Sequence, residues 1–417
     1  MRMSAIRPKL VVLGSGFAAF SLLREVDVKR YAVTLVSPRN HFLFTPLLPS
    51  TTVGTIEFRS IIEPIRTARK GVRFHQAWCD RIDFDKQQIE CRGAFKGSNF
   101  FIDYDILVVG VGGKNRTFEI PGVKQHAFFL KELGDARDIR QKVIENFERA
   151  TKPQRDIEEV KQLLHFVIVG GGPTGIEFAA ELHDFVTQDV QKWFPDVMEY
   201  VQITLLEATG NILTQFDEKL GQYALKIFKR QHITVRTHSI VNEVDEDAVA
   251  YGVTVKEGER IPCGLVVWST GIGPTDLAKT LGAPIGLTNR LLVDDHFRLD
   301  GHDNVYAIGD CAEMDGVDLP PTAQVAQQAG KHLAKELNRL ALGDTMRPFK
   351  YKHRGMMAYV GGRRALADLG TIQGRGFTTW LFWRSAYLTK LVSFKNKFLV
   401  LFDWTRSMLF GRDISRF

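Results

Sequence analysis

The stretch Leu10–Phe20, LVVLGSGFAAF, decides the fold. Its four apolar residues read as a strand buried on both faces, and they run straight into Gly14-Ser-Gly16-Phe-Ala-Ala19 and a small-residue helix. In a turn of this pattern the first glycine permits the tight bend, and the second lets backbone approach a phosphate. The small third residue lets the helix pack closely on the strand. The helix N-terminus then offers unpaired N–H groups and a favourable dipole to an anion. Such a turn is a weak signal alone. It gains force here from its place after a strand and from a second copy downstream.

That second copy lies in His165–Ala180, with Gly170, Gly172 and Gly175 at the corresponding positions. Two units in one chain imply two dinucleotide-binding modules, each shaping one phosphate pocket. The strand after the first unit, YAVTLVS (Tyr31–Ser37), ends in Ser37 with Arg39 just beyond, where an acid that grips ribose hydroxyls is expected. The strand after the second, VQITLLE (Val201–Glu207), does end in an acid. Glu207 there accepts hydrogen bonds from both ribose hydroxyls and repels a 2′-phosphate, which favours NADH over NADPH. Read blandly, it is a solvated strand-end glutamate. Its distance from Gly175 exceeds the usual spacing of about 20 residues, and the added stretch His183–Val197 accounts for the excess.

A third element, NVYAIGD (Asn304–Asp310), ends an apolar strand in Gly309-Asp310. A carboxylate so placed can hold the ribityl hydroxyls of a flavin, although Gly-Asp is also a common turn. Its pattern continues the first module, so the second is read as inserted within the first. FIDYDILVVG (Phe101–Gly110) reads as one further strand, and residues from about Leu130 to Leu163 as helical. The expected fold class is α/β, with two Rossmann-like dinucleotide-binding domains, the second inserted in the first, plus a C-terminal membrane-associating subdomain. The expected boundaries are 1–125 with 285–345, then 126–284, then 346–417.

Composition agrees with this reading. A chain of 417 residues is too long for one ordinary core. A net charge of +7 favours anionic partners without choosing among them. Cys79, Cys91, Cys263 and Cys311 are scattered, with no C-x-x-C pair, so their spacing supports neither a zinc site nor an adjacent redox dithiol. No metal site is expected. The N-terminal residues lack the pattern of a secretory signal, and no apolar run approaches the roughly 18 residues of a membrane span.

The C-terminal region has a different character. Between Phe377 and Phe417 seven basic residues stand against Asp403 and Asp413, and Trp380, Trp383 and Trp404 fall there too. On the last helix Phe398, Leu401, Phe402, Met408 and Leu409 share one face, away from Asp403, Arg406 and Ser407. That pattern reads as an interfacial amphipathic helix with basic flanks. Burial in a dimer interface or against a neighbouring domain is the alternative.

Beyond the glycine turns, four stretches carry a family resemblance: HFLFTPLLPSTTVGTIE (His41–Glu57), VIVGGGPTGIEFAAEL (Val167–Leu182), VVWSTGIG (Val266–Gly273), and AIGDCAE with PTAQVAQQAG within Ala307–Gly330. With the tail, they make the whole chain similar to the type II NADH dehydrogenases. These are non-proton-pumping NADH:quinone oxidoreductases within the two-dinucleotide-binding-domain flavoproteins. The resemblance implies FAD held by Gly14, Gly16, Ala19, Ser37, Arg39, Asp310 and Gln324, with Thr45 and Pro46 near the isoalloxazine. It implies NADH on Gly170, Gly172, Gly175, Glu207 and Gly271.

Glu177 would sit by the nicotinamide, ordering NADH or relaying a proton. Read alone, it is equally a helix first-turn acid stabilised by the dipole. Gln324 and Gln328 would line a quinone pocket, or else form a surface face. Implied partners are NADH, a membrane quinone, an anionic membrane surface and a second copy in a homodimer, with no nucleic acid. The implied place is peripheral, on the cytoplasmic face of a cell membrane or on an organellar inner membrane.

Two features depart from the family pattern. Gly110-Val-Gly112-Gly113 replaces a more usual alanine-containing turn, and no EF-hand pattern is present. A sulfide:quinone oxidoreductase shares the scaffold but needs a late cysteine, and none follows Cys311. A flavin redox sensor or NADH-binding protein without turnover would retain both glycine turns without needing the glutamine pair.

Overall fold

The computed structural model describes residues 7–95, 97, 99–246, 251–255 and 258–415. The chain divides into two compact units. One comprises Met1–Leu43, Ile62–Lys114 and Ile272–His353; the other comprises Phe44–Ile61, Asn115–Gly271 and Arg354–Phe417.

The first unit is built on a ten-stranded sheet. Lys9–Leu13 lies at its centre, paired in parallel with Ala32–Ser37 on one side and Ile106–Val109 on the other. His302–Ala307 continues beyond Ile106–Val109, also parallel. Leu10, Val12, Leu107 and Val108 are wholly buried, as continuous apolar runs in a sheet covered on both faces must be. The Phe17–Glu25 helix packs on the Ala323–Leu340 helix so closely that a Cβ at Gly330 would lie 2.0 Å from the Ala18 carbonyl oxygen.

The stretch read as one strand from Phe101 to Gly110 is two. Asn99–Asp103 pairs antiparallel with Gln88–Gly93 at the sheet's edge, whereas Ile106–Val109 is central. The break has a cause in hydrogen bonding: the Tyr104 amide donates to the Gln87 carbonyl and the Asp105 amide to the Lys9 carbonyl, which turns the chain between them.

The antiparallel extension also places Cys79 opposite Cys91 on adjacent strands, a neighbourhood that their spacing did not suggest. All four cysteines are free thiols, and burial pushes both of these up to about 12, so they are chemically quiet.

The second unit holds a five-stranded parallel sheet in the order Phe128–Phe129, Leu265–Trp268, His165–Val169, Gln202–Leu206, Ile233–Arg236. A three-stranded antiparallel sheet, Val241–Glu246, Tyr251–Val255 and Arg260–Cys263, packs its apolar side into the same core. The helical stretch expected from about Leu130 is realised as Leu133–Ala150 and Ile157–Leu163. The C-terminal part of this unit is an antiparallel sheet, Met356–Tyr359, Ala365–Asp368 and Gln373–Gly376, followed by helices Phe377–Lys390 and Phe394–Phe410.

On the last helix the expected faces are present, with the polar one turned inward. Asp403 is buried and accepts hydrogen bonds from the Glu57 amide at 3.0 Å and the Ser60 hydroxyl at 2.6 Å. Phe398, Leu401, Phe402, Met408 and Leu409 are all exposed. Within the described residues this apolar face is not packed against the rest of the protein.

Candidate functional site

The two glycine turns have nearly the same backbone geometry. Gly14 sits at φ +101° and Gly170 at φ +113°, a region that side chains other than glycine's rarely adopt. The close approaches are also alike. A Cβ on Gly14 would stand 2.2 Å from the Gly110 carbonyl oxygen, and one on Gly170 would stand 2.4 Å from that of Ser269. Gly110, in the stretch that departs from the family's alanine-containing turn, is therefore backbone-packed under the first turn. The second glycines, Gly16 and Gly172, are extended N-cap residues with nothing within 4 Å of a Cβ position. Each turn thus opens a space at a helix N-terminus where a pyrophosphate fits. At the third position Ala19 is fully buried, and a Cβ on Gly175 would meet the Gly170 carbonyl oxygen at 2.1 Å.

At the carboxyl end of Ala32–Ser37 the first unit gathers a small polar cluster. The buried Ser37 hydroxyl donates to the Ser15 hydroxyl at 3.0 Å, and Arg39 Nε lies 3.3 Å from the same Ser15 oxygen and 3.0 Å from the His41 carbonyl. Asp310 follows the His302–Ala307 strand beside Gly309, whose φ is +79°. These groups line the carboxyl edge of the parallel strands, where open α/β sheets bind ligands. The donor set and the open glycine cradle fit an adenine dinucleotide such as FAD.

In the second unit Glu207 is tied down over its glycine turn. One carboxylate oxygen accepts from the Gly171 amide at 2.7 Å, and the other accepts from the Thr209 amide and hydroxyl, each at 2.8 Å. The acid is therefore held in place at the second glycine turn, not left as a free solvated side chain. Gly271, at φ +100°, closes the Leu265–Trp268 strand and its carbonyl accepts from the Arg116 amide.

Glu177 is not a first-turn acid. The Pro173–Gln188 helix has none in its first turn, and Glu177 lies deeper, 7% exposed, accepting from the Tyr359 amide at 3.1 Å. Burial raises its carboxyl from the ordinary 4.5 to about 8; the Tyr359 amide opposes this, and the nearby Glu181 adds to it.

Glu177 heads a row that sequence reasoning missed. Glu181 and Asp184 follow it on the buried face of the same helix. The Ser50 hydroxyl donates to Glu181 at 2.7 Å and that of Thr55 at 2.8 Å, while Asp184 accepts from the Tyr359 hydroxyl and the Gly362 amide. Arg412, 223 residues beyond Asp189, pairs with it at 2.8 Å and stands 3.8 Å from Glu181. The signal was the i, i+4, i+7 spacing of acids on an otherwise apolar helix.

Gln324 and Gln328 lie one turn apart on the Ala323–Leu340 helix, both half-buried. The Gln328 amide is engaged at both ends: its nitrogen donates to the Lys352 carbonyl at 2.9 Å and its oxygen accepts from the Lys352 amide at 3.1 Å. Thr45 and Pro46 form a short 3-10 turn in the second unit, also half-buried.

Two glycine cradles, an acid over one of them and a strand ending in Gly-Asp define a two-dinucleotide flavoprotein oxidoreductase. Residues 8–330 match the pyridine nucleotide-disulphide oxidoreductase family, and residues 353–413 match the NDH2 C-terminal domain. A probable NADH dehydrogenase of Dictyostelium discoideum is 47% identical over 98% of this chain and 91% of its own length. An external NADH-ubiquinone oxidoreductase of Saccharomyces cerevisiae, a mitochondrial protein, is 41% identical over 98% of this chain and 82% of its own. The Plasmodium falciparum NDH2 structure, solved with NADH, superposes with a TM-score of 0.93 at 27% identity, covering 98% of this chain and all of that one. The chain belongs to the pyridine nucleotide-disulphide oxidoreductase family and, within it, to the type II NADH dehydrogenases.

Proposed function

We propose that Gly14, Gly16, Ala19, Ser37, Arg39 and Asp310 hold FAD, that Gly170, Gly172, Gly175, Glu207 and Gly271 hold NADH, and that Gln324 and Gln328 face the quinone. The chain is an FAD-dependent NADH:quinone oxidoreductase that does not pump protons. The observation that carries the reading is the pair of matching glycine cradles, only one of which has a clamped ribose acid. Held there, FAD would supply the two-electron redox chemistry that links NADH oxidation to quinone reduction.

The chain's own residues do the rest. Glu207 receives the ribose hydroxyls and excludes a 2′-phosphate. The helix beginning at Pro173 presents its N-terminus to the pyrophosphate. Glu177, protonated at neutral pH by its burial, supplies or accepts a proton at its carboxyl beside the nicotinamide. Gln324 donates to a quinone carbonyl.

Among the described residues no helix is long and apolar enough to cross a membrane. The exposed face of the Phe394–Phe410 helix supports peripheral attachment to an anionic leaflet. The mitochondrial relatives favour an organellar inner membrane. The domain reading assigns 1–125 and 285–345 to FAD, 126–284 to NADH and 346–417 to the membrane. A homodimer is the oligomeric state proposed, and light scattering in detergent tests it.

Anaerobic rapid mixing tests the function. NADH is expected to bleach the flavin absorbance, and a short-chain quinone to restore it. A flavin that stays bleached in the presence of quinone overturns the reading and leaves a redox sensor.

A further inference from the structure

The two C-terminal helices place one cation in an unusual setting. The Arg384 guanidinium lies over the Trp380 ring at 4.2 Å and over the Trp404 ring at 4.7 Å. Both indoles are buried, at 6% and 2% exposure, and so are fixed. A planar guanidinium held between two rings by cation–π attraction has its faces covered, and only its N–H edge is left for a partner.

Among the described residues that edge has none: Arg384 Nε is buried and unpartnered. Four charged or titratable groups act on it. Glu181 and Tyr359 favour the cation, while Arg363 and Arg412 oppose it. Glu181 is already engaged by Ser50, Thr55 and Arg412, and the Tyr359 hydroxyl by Asp184. Burial lowers the guanidinium to about 10, so it keeps its charge at neutral pH.

We propose that Arg384 is a binding site for the phosphate of an anionic phospholipid, gripped by the guanidinium edge between Trp380 and Trp404. A guanidinium fork matches phosphate oxygens two at a time. The surroundings select a lipid over a free anion: Phe377, Leu381 and Phe382 on the same helix, and Phe398, Leu401 and Phe402 on the next, are each about half exposed or more. Apolar side chains so placed gain nothing from inorganic phosphate and are covered by acyl chains when a lipid docks. The inference rests on the membrane reading above and gives it a defined headgroup site.

The test uses the full-length flavin-loaded protein and flotation with two vesicle sets, phosphatidylcholine alone and phosphatidylcholine with phosphatidylglycerol. Wild type is expected on both, and more tightly on the anionic set. R384Q and R384K are expected to keep flavin content, turnover in detergent and binding to phosphatidylcholine. R384Q should lose the anionic preference by on the order of fivefold, since one basic residue near an anionic leaflet contributes roughly 1 kcal/mol, and R384K should lose part of it because an ammonium lacks the planar fork. R384K retains the charge, so its loss identifies the stacked fork and not net charge as the cause.

An anionic preference unchanged in R384Q, or fully kept in R384K, overturns the proposal. Release of wild type from anionic vesicles by inorganic phosphate at matched ionic strength overturns the lipid assignment. Phe398→Glu separates the two readings. Loss on both vesicle sets in that variant, beside an R384Q indistinguishable from wild type, sinks the headgroup site alone. Wild type that floats with neither set sinks both.

Discussion

The Tyr359 amide donates to the Glu177 carboxylate at 3.1 Å, joining residues 182 positions apart. The helix that follows the second glycine turn is thereby tied to the first strand of the C-terminal sheet. The same strand residue hydrogen-bonds Asp184 through its hydroxyl, so Tyr359 spans the row of buried acids. The helix after the second glycine turn and the subdomain read as the membrane anchor share one hydrogen-bonded network within the second unit.

Glu177 governs the first expectation. Its folded carboxyl titrates near 8 against an ordinary 4.5, so between those values the folded state binds more protons than the unfolded. Its contribution to stability is complete below about 4.5 and is lost as pH rises through about 8. Melting temperature is expected to fall across that window in wild type and to fall less in E177Q. Equal slopes for the two proteins would show that Glu177 is ionised in the fold.

Glu207 is the residue proposed to set nucleotide choice. On that proposal E207Q removes the charge that would receive the ribose hydroxyls and repel a 2′-phosphate. The KM for NADH is expected to rise about tenfold, as charged hydrogen bonds contribute roughly 1.5–3 kcal/mol, while the KM for NADPH falls. An unchanged ratio of the two constants would place the discrimination elsewhere.

Gln324 is expected to separate the two half-reactions. Q324A should leave the rate of flavin bleaching by NADH near wild type and raise the quinone KM several-fold, which steady-state kinetics resolves. Slower bleaching with a normal quinone KM would assign the residue to flavin binding alone.

Arg412 offsets buried acids. R412A leaves Glu181 and Asp189 without their guanidinium, and removing one partner of a buried pair costs about 3–5 kcal/mol. Denaturant unfolding should report that loss, with R412K intermediate. A loss under about 1 kcal/mol would mean that the serine and threonine hydroxyls suffice.

Gly14 admits no side chain. G14A has to relieve a contact of 2.2 Å with the Gly110 carbonyl oxygen at a φ of +101°. The purified variant is expected to retain little flavin. G16A, with open space at its Cβ position, should remain folded and lose flavin affinity only through contact with the ligand.

The glycine turns, the acid at Glu207 and the strand leading to Asp310 were legible because each depends on a few consecutive residues, although that strand stops at Ala307 and Asp310 lies in a 3-10 turn beyond it. Local backbone geometry and the period of apolar side chains are encoded within a window of about ten residues. The same locality produced the error at Phe101–Gly110, where a continuous apolar pattern concealed a turn made by bonds to Gln87 and Lys9.

What only the tertiary structure decided is which distant groups meet. The proximity of Cys79 to Cys91, the row from Glu177 to Asp184 with Tyr359 and Arg412, and the stacking of Arg384 between Trp380 and Trp404 join segments tens to hundreds of residues apart. Sequence fixed each side chain's chemistry and the face of its element. Burial and the partners it meets, which set its charge state, arise only when separate elements pack together.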